Sequence, residues 1–392
     1  MRLGVALLLS MVANTVVGWG EETHKTVSFL SGYYLTSNQA ETLQRLMGWE
    51  MDPSKIYNQL ADVSNWADKQ NWSFAYHTGY FVDNIATNTV DLVCGSTKQP
   101  GCLWQGIRFW TSVVLNPASS VSEKRDSMKF IIHVIADALQ PLHVGRESDW
   151  GGSLIKDVYN KYTWANYGGT TKYTLHQVWD KAFFYFDEIN RKLQPGIPAV
   201  TEESIIASWQ RGTNGDWGHA VQFYYSWMQS ETSAQFRQCR FRPKAGGFNI
   251  QDPMAVEELI KSIARESAVI ARDYAYPDHN NRPIRSNKML ERPYMESRTL
   301  VMRQQVVRAA TELGCFLRDI INVISPTTTT AAPEVTTVPA NDTTDEVQPT
   351  LTTVESDDTT HEVQPTTDEL DVLVDRFENE FLISRSTADI IS

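Results

Sequence analysis

The sequence predicts a mostly α-helical protein whose folded part is one large domain. Apolar residues recur at helical spacing through most of the chain, whereas alternating strand patterns are rare. The clearest helical run is Met128, Ile131, Ile132, Ile135 and Leu139. Only residues 154–159 and 162–165 have the pattern of a small hairpin. Roughly 300 residues lie between two ends of different composition, a length that one large domain can reach.

The predicted helices begin and end at capping residues and prolines. Ser122 is suited to open the helix that contains this run, and Pro141 closes it. Asp252 before Pro253 predicts the start of a helix that runs toward residue 274. Asn38 resembles the first residue of a capping box for a helix through residue 47. Further helices are predicted at residues 56–68, 104–115, 177–193, 201–211, 217–231 and 297–323.

The formal charge of −12 is spread unevenly along the 392 residues. Residues 326–392 contain 15 Asp and Glu against two Arg, whereas the rest contains 33 Lys and Arg against 32 Asp and Glu. This Thr- and Pro-rich segment repeats itself at 342–350 and 358–366 and has too little apolar surface to offset the entropy of ordering. We predict a folded body over residues 19–325 and a disordered, O-glycosylated tail over 326–392. Because the body is nearly neutral, the acidic total does not exclude a nucleic-acid partner.

The N-terminus has the pattern of a secretory signal over residues 1–18. One basic residue precedes an apolar run from Leu3 to Val17, which is shorter than the ~20 residues of a membrane span. Cleavage after Gly18 would make Trp19 the first residue of the mature chain. No later segment resembles a membrane span, so we expect a secreted, extracellular and monomeric protein.

The four cysteines of a secreted chain predict two disulfides, for which three pairings exist. Cys94 and Cys102 flank a turn-rich loop that can close on itself. Cys239 and Cys315 then pair by elimination. Metal binding by these cysteines is the weaker interpretation, because the chain has no C-x-x-C.

Histidines and aspartates carry the chemical signal of this chain. His133 and Asp137 lie four residues apart on the predicted helix, and His176 and Asp180 repeat that spacing. Such a pair places an imidazole and a carboxylate on one helical face, which suits divalent metals. A single pair is commonly structural, but the second pair and His143 at a proline-bounded helix end favour metal binding.

Further candidates lie upstream, namely His24, Asp68 and His77. Asp62 has the same chemistry as Asp68, and we interpret it as a solvated helix residue. The other three histidines have no matching carboxylate spacing and are expected to be structural or solvated; they are His219, His279 and His361.

In this order, the residues resemble the S1/P1 nuclease family. The motifs are Trp19-Gly20-x-x-x-His24, Trp66-Ala67-Asp68, His77, His133-x-x-x-Asp137-x-x-Gln140-Pro141-Leu142-His143, Gly151-Gly152 and His176-x-x-x-Asp180. The ordered match spans residues 19–180, the helical remainder to about residue 323 fits more loosely, and the tail lies outside it. The pattern is specific, because its Trp coincides with the predicted signal cleavage.

The resemblance implies an all-α domain around a cleft with three Zn²⁺, similar to zinc phospholipases C and P1-type nucleases. The ligands that it implies are Trp19, His24, Asp68, His77, His133, Asp137, His143, His176 and Asp180. Trp19 would bind through its carbonyl oxygen and its α-amine, whose pKa of about 8 makes it a neutral ligand at small cost. Asp137 would bridge a close pair of ions, and the last three residues would hold the third. By the same resemblance a zinc-bound hydroxide attacks phosphorus, so no protein nucleophile is predicted.

The chain departs from the family pattern near the substrate. Asn71 stands where the family has an Arg that contacts phosphate. The segment after His77 is longer than in the family and contains Tyr80 and Phe81, each a candidate to stack on a base. Asn71 and Asn341 also begin glycosylation sequons.

Three functions fit the sequence to different degrees. The favoured one is a zinc endonuclease that cleaves single-stranded RNA and DNA to 5′-phosphate products, with 3′-nucleotidase activity as an extension. The alternative is a zinc phospholipase C-like hydrolase, but that family has Glu at the position of Asp180 and a shorter preceding span. A non-catalytic, stalked surface protein is the third, and the complete ligand set argues against it.

Overall fold

The computed structural model describes residues 19–70, 76–84, 87–95, 101–158, 173–183, 186–187, 217–229, 237–239 and 248–325. Within these ranges the fold is mostly helical, as predicted. The helices are α1 (Glu21–Ser31), α2 (Ser37–Met47), α3 (Ile56–Val63), α4 (Leu103–Leu115), α5 (Val121–Leu139), α6 (Leu175–Gln177), α7 (Trp217–Gln229), α8 (Pro253–Ile270) and α9 (Arg292–Ile324). Helices α6 and α8 continue as π-helical turns, at Val178–Ala182 and Ala271–Ala275.

Helix α5 is the centre of the domain and packs against α1, α4, α8 and α9. Every residue from Ser127 to Leu139 except Lys129 is buried, so both His133 and Asp137 point into the protein rather than into solvent. Ser120, not the predicted Ser122, is its N-cap and forms a reciprocal capping box with Glu123. Histidine and aspartate side chains on this helix are therefore enclosed by the protein.

Two neighbouring helices stabilise the C-terminal end of α5. Ser267 Oγ donates to the carbonyl oxygen of Ala138 at 2.7 Å, and Gln305 Nε2 donates to that of Leu139 at 3.0 Å. The last carbonyls of a helix have no partner within the helix, so these bonds satisfy groups that are otherwise buried without one. They fix the C-terminal end of α5.

A three-stranded sheet that the sequence analysis did not predict packs against α8. Strand β1 (Gly79–Asn84) is central, antiparallel to β2 (Thr89–Val93) and parallel to β3 (Val144–Arg146). Strand β1 begins two residues after His77 and β3 directly after His143, so the sheet aligns these two histidines. Both strands are short, and β3 has only three residues, too few for a recognisable sequence pattern.

The predicted hairpin is wrong for its first half, where Val158 forms only an isolated bridge with Tyr173. Its second half, residues 162–165, lies outside the described residues, and so does the predicted helix at 201–211.

Other helix boundaries differ by a few residues from the predictions. Thr36, rather than Asn38, caps α2 and forms the capping box with Gln39. The predicted helix 56–68 ends at residue 63 and resumes as a 3₁₀ turn at Ala67–Lys69. Asp252 caps α8 as predicted, and its side chain accepts the N–H of residue 254.

The two predicted disulfides are confirmed, Cys94 with Cys102 and Cys239 with Cys315. The first joins the residue after β2 to the N-cap of α4, and the second joins α9 to residue 239, 76 positions earlier. None of the described helices has both the length and the apolar character to cross a membrane.

Candidate metal centre

Eight of the predicted ligand side chains meet beside α5 in two adjoining groups. We call the first group the shared cluster; it consists of His24, Asp68, His77, His133 and Asp137. We call the second the lone cluster; it consists of His143, His176 and Asp180. Within each candidate trio, the possible ligand atoms lie within 4.8 Å of one another. Asp68 is 14 % exposed, and the other seven side chains are buried.

Asp137 is the centre of the shared cluster, because its two oxygens point to different histidines. Its Oδ1 lies 3.2 Å from Nε2 of His24. Its Oδ2 lies 3.0 Å from Nδ1 of His77 and 3.2 Å from Nε2 of His133, one helical turn earlier. Asp68 completes this side, with its Oδ1 3.3 Å from Nε2 of His133. A carboxylate with this orientation can bridge two cations.

Backbone carbonyls orient three of the ligand histidines. The pairs are His133 Nδ1 with Ser64 O at 2.6 Å, His143 Nδ1 with His77 O at 2.7 Å and His176 Nδ1 with Gly151 O at 2.7 Å. Because a carbonyl only accepts, each Nδ1 carries the proton and each Nε2 presents a lone pair to the cluster. This is the tautomer that a metal-binding imidazole requires.

The donor atoms of both clusters fit a divalent cation such as zinc. Within the described residues, eight buried atoms of these side chains have no hydrogen-bond partner. They are both ring nitrogens of His24, Nε2 of His133, His143 and His176, and one oxygen each of Asp68, Asp137 and Asp180. An unsatisfied buried polar group costs about 1–3 kcal/mol, and here several lone pairs face one another 3.2–3.9 Å apart. A cation between them offsets both costs, and nitrogen and oxygen ligands suit Zn²⁺.

The electrostatics of the shared cluster show the same demand for positive charge. Burial alone would lower the pKa of His133, but the carboxylates of Asp137 and Asp68 outweigh it and raise the pKa well above its usual value. For Asp68, burial opposes ionisation, yet His133 and His24 lower its pKa to about 2. Burial and the neighbouring His133 lower the pKa of His24 to about 4. Without a metal ion, this cluster therefore attracts a proton.

The lone cluster has a different balance. Burial lowers the pKa of His176 to about 3, and it raises the pKa of Asp180 well above the usual value. Gln140 opposes the second effect, because its Nε2 donates to Asp180 Oδ1 at 2.5 Å. Gln140 also accepts the N–H of Leu142 and so connects Asp180 to the turn that carries His143.

Two residues of the recognised motifs have roles in the site that the sequence analysis did not assign. Gln140 is fully buried and holds Asp180, as described above. Gly151 has a φ of +63°, and a Cβ there would collide with the carbonyl oxygen of Leu142. Only glycine allows this close approach, which places the Gly151 carbonyl on His176.

The backbone of the Trp19 region lies beside the lone cluster. The N–H of Gly20 donates to the carbonyl oxygen of Asp180 at 2.8 Å, and α1 begins at the next residue. The indole of Trp19 is buried. Ligation by Trp19 itself stays a prediction, because it concerns the α-amine that cleavage would release.

The predicted stacking residues lie on β1, but their rings are not available to a base. Tyr80 is only 7 % exposed and Phe81 1 %, and Phe81 packs edge-on against Tyr276. Stacking needs an open ring face, so the structure does not support this pair. Trp150, which directly precedes Gly151, is 59 % exposed, and the sequence analysis did not single it out.

The other sequence candidates are placed as follows. Asp62 is exposed on α3, as expected for a solvated residue. His279 is partly buried near Glu291 and lies in neither cluster. The side chain of His219, and all of His361, Asn71 and Asn341, lie outside the described residues.

Comparison with known proteins gives a consistent result. The family model of the S1/P1 nucleases matches residues 19–322. Nuclease S1 of Aspergillus oryzae is 31 % identical over 178 residues, 43 % of this chain and 55 % of that protein. Nuclease P1 of Penicillium citrinum is 29 % identical over 171 residues, 41 % of this chain and 57 % of that protein. Endonuclease 4 of Arabidopsis thaliana is 25 % identical over 252 residues, 58 % of this chain and 74 % of that protein. The matches thus span little more than half the length of the two fungal relatives.

Proposed function

This chain belongs to the S1/P1 nuclease family, and from that membership we propose that it is a secreted zinc endonuclease. Its substrates would be single-stranded RNA and DNA, its products 5′-phosphates, and 3′-nucleotides an additional substrate. The family consists of zinc-dependent phosphodiesterases, and the two clusters contain the His and Asp donors that zinc prefers. The names of the relatives, nucleases and endonucleases, support the same substrate class.

The observation that carries the proposal is the orientation of Asp137. One carboxylate presents Oδ1 to His24 and Oδ2 to His77 and His133, all at 3.0–3.2 Å. This arrangement supports two cations in the shared cluster and a third in the lone cluster. Trp19 would complete the set through its carbonyl oxygen and its freed α-amine.

Bound zinc would supply Lewis-acid charge that acidifies water and balances the charge of a phosphodiester. The side chains of both clusters hold and orient the ligand atoms, and the donor set contains no hydroxyl or thiol. We therefore assign no protein nucleophile. Burial of the clusters excludes bulk water, which strengthens each electrostatic contact.

For the substrate, we propose that Trp150 stacks on a base. Its ring is exposed, and its neighbour Gly151 accepts a hydrogen bond from His176. Stacking on an aromatic ring is worth about 1–3 kcal/mol per base and needs an unpaired base, which favours single strands. Replacement of Trp150 by Ala should raise the KM for single-stranded substrate more than it changes kcat.

The test is a parallel assay of purified mature protein on single-stranded RNA, single-stranded DNA, 3′-AMP and phosphatidylcholine. We expect about three zinc ions per chain by elemental analysis, loss of activity with a chelator, and 5′-phosphate ends on the products. Hydrolysis of phosphatidylcholine alone would support the phospholipase alternative. If the correctly processed protein contains no zinc and hydrolyses none of the four substrates, the result would support the alternative of a non-catalytic surface protein.

A matched pair of variants separates a ligand from a nearby acid. Asp68→Asn should lose zinc and activity, whereas Asp62→Asn, six positions earlier and exposed, should retain both. Equal behaviour of the two variants would contradict the assignment.

The role of Trp19 needs its own experiment. A protein with one extra residue before Trp19 has no free amine at that position, so it should bind less zinc than the mature form. Mass spectrometry of protein secreted by a eukaryotic host should find Trp19 as the first residue. Unchanged zinc content in the extended form would remove Trp19 from the ligand set.

A further inference from the structure

We propose that Arg146 binds a phosphate of the nucleic-acid strand next to the phosphate that is cleaved. This inference rests on the proposed function, because it concerns how a strand longer than one nucleotide is held. Arg146 lies at the end of β3, three residues after the lone-cluster ligand His143. Its side chain is 34 % exposed, so it is open to a ligand at the rim of the site.

The guanidinium of Arg146 is held in place by its surroundings. It lies 4.3 Å from the centroid of the Tyr276 ring, a cation–π contact. The Tyr276 hydroxyl accepts the backbone N–H of Arg146 at 2.8 Å and donates to Asp149 at 2.8 Å. Asp83 Oδ2 lies 3.4 Å from Nε, the nitrogen nearest the stem. The two Nη nitrogens form the other edge of the fork, which matches the two oxygens of a phosphate.

Arg146 is also connected to the lone cluster through the backbone. Its carbonyl accepts the N–H of Gly151 at 2.9 Å, and the Gly151 carbonyl accepts Nδ1 of His176 at 2.7 Å. These two hydrogen bonds connect the backbone of Arg146 to the proposed zinc ligand His176 through Gly151. The exposed Trp150 lies in the same loop, so one loop presents a base-stacking ring and a phosphate-binding fork.

Other cations next to the ligands are less suited to this role. Lys25 and Lys129 each pair with a carboxylate on their own helix, at 2.8 and 2.9 Å. Lys69 and Lys181 directly follow Asp68 and Asp180, but a lysine presents a single charge on a flexible stem. Among these five cations of the described residues, Arg146 alone combines an aromatic platform with a planar fork.

The experiment measures binding of a phosphorothioate oligothymidylate and of thymidine 5′-phosphate to the zinc-loaded protein at several salt concentrations. Arg146→Gln should bind the oligonucleotide about tenfold more weakly, and its salt dependence should decrease by about 0.7 in the log–log slope. Binding of the mononucleotide and zinc content should not change. Arg146→Lys should keep the salt slope and recover part of the affinity. Arg292→Gln is the matched control. It removes an exposed Arg at the start of α9, away from β3, where it pairs with Glu296 one turn later.

Two results would overturn the inference. In the first, Arg146→Gln binds the oligonucleotide like Arg292→Gln. In the second, it loses zinc or mononucleotide affinity to the same degree, which would make Arg146 a support of the loop only. Failure of the wild-type protein to cleave an unmodified oligonucleotide is a separate outcome, because it refutes the proposed function while the binding comparison can still be made.

Discussion

The shared and lone clusters use the same residue types, but the chain holds them in different ways. The shared cluster is centred on one regular helix, since His133 and Asp137 lie one turn apart on α5. Its other three members come from α1, a 3₁₀ turn and the segment before β1. The lone cluster is assembled from a turn after α5, a glycine loop and the π-helical segment with Asp180. Its alignment depends on Gln140 and on the Gly151 carbonyl.

This difference indicates where each cluster is vulnerable. In the shared cluster one residue, Asp137, contacts three histidines, so its loss affects all three of them. In the lone cluster the ligands have separate supports, so that changes outside the ligands affect it selectively. The predictions below test this contrast, from the largest expected effect to the smallest.

The substitution Asp137→Asn should have the largest effect on activity. Its loss of zinc should be limited to the shared cluster. Removal of the proposed bridging charge should release about two of the three proposed zinc ions and reduce kcat by more than about 100-fold, the upper end for loss of an outer-shell partner. Elemental analysis and steady-state kinetics measure this. Loss of all three ions in a folded protein would contradict the separation of the clusters, and Asp62→Asn is the control.

Gln140→Leu should affect the lone cluster alone. Without the hydrogen bond from Nε2, Asp180 loses its orientation, and we expect a 10- to 100-fold weaker affinity for one zinc ion. Competition with a chromophoric chelator measures each binding step. Gln305→Leu is the matched control, because this buried Gln also bonds at the end of α5 but contacts no ligand.

Acid should destabilise the metal-free protein through His24. Its pKa is about 4 in the folded state, against 6.5 ordinarily, because burial and His133 disfavour its charge. The unfolded chain takes up the proton first, so the contribution is complete above pH 6.5 and decreases as the pH falls toward 4. Between pH 6.5 and pH 5 the loss should be about 2 kcal/mol.

Urea unfolding of metal-free wild type and His24→Gln at both pH values measures this term. The wild type should lose more stability than the variant. The lowered pKa of His176 also decreases stability as the pH falls. The pKa of Asp180, which burial raises, has the opposite effect on stability, so the net pH dependence from the lone cluster should be smaller. An equal pH dependence in the two proteins would show that His24 does not carry the effect.

Ser120→Ala should have the smallest effect and should not distinguish the clusters. It removes the N-cap of α5, at the end of the helix opposite the site, and should cost about 1 kcal/mol of stability. Thermal unfolding measures the loss. Zinc content and kcat should be unchanged. Selective loss of one zinc ion would contradict this prediction, because it would show that the N-terminal end of α5 affects the geometry of the metal site.

The residues that meet in the two clusters could be predicted from the sequence, but much of their support could not. The pairs His133–Asp137 and His176–Asp180 follow from helical spacing, which needs no tertiary information. The cysteine pairing followed from the short loop between Cys94 and Cys102. Helix caps were less accurate. Thr36 and Asn38 both have the capping-box spacing, to Gln39 and Glu41, whereas for α5 the capping-box spacing of Ser120 and Glu123 was overlooked.

The base-stacking prediction failed for a tertiary reason. Tyr80 and Phe81 follow His77 closely, and sequence alone could not show that β1 turns their rings into the core. Trp150 was not recognised because its exposure depends on the glycine loop that follows it.

What the sequence by itself determined is the helical class, the acidic tail, the two disulfides and the set of His and Asp residues. The first three follow from composition, periodicity and local spacing, which are properties of short segments. The His and Asp set follows from two such spacings together with the resemblance to the family's ordered motifs. Only the tertiary structure decided that Asp137 faces three histidines, that β1 and β3 align His77 with His143, and that Gln140 holds Asp180. Those contacts join residues up to about 110 positions apart, and their geometry depends on packing of the whole domain rather than on any local pattern.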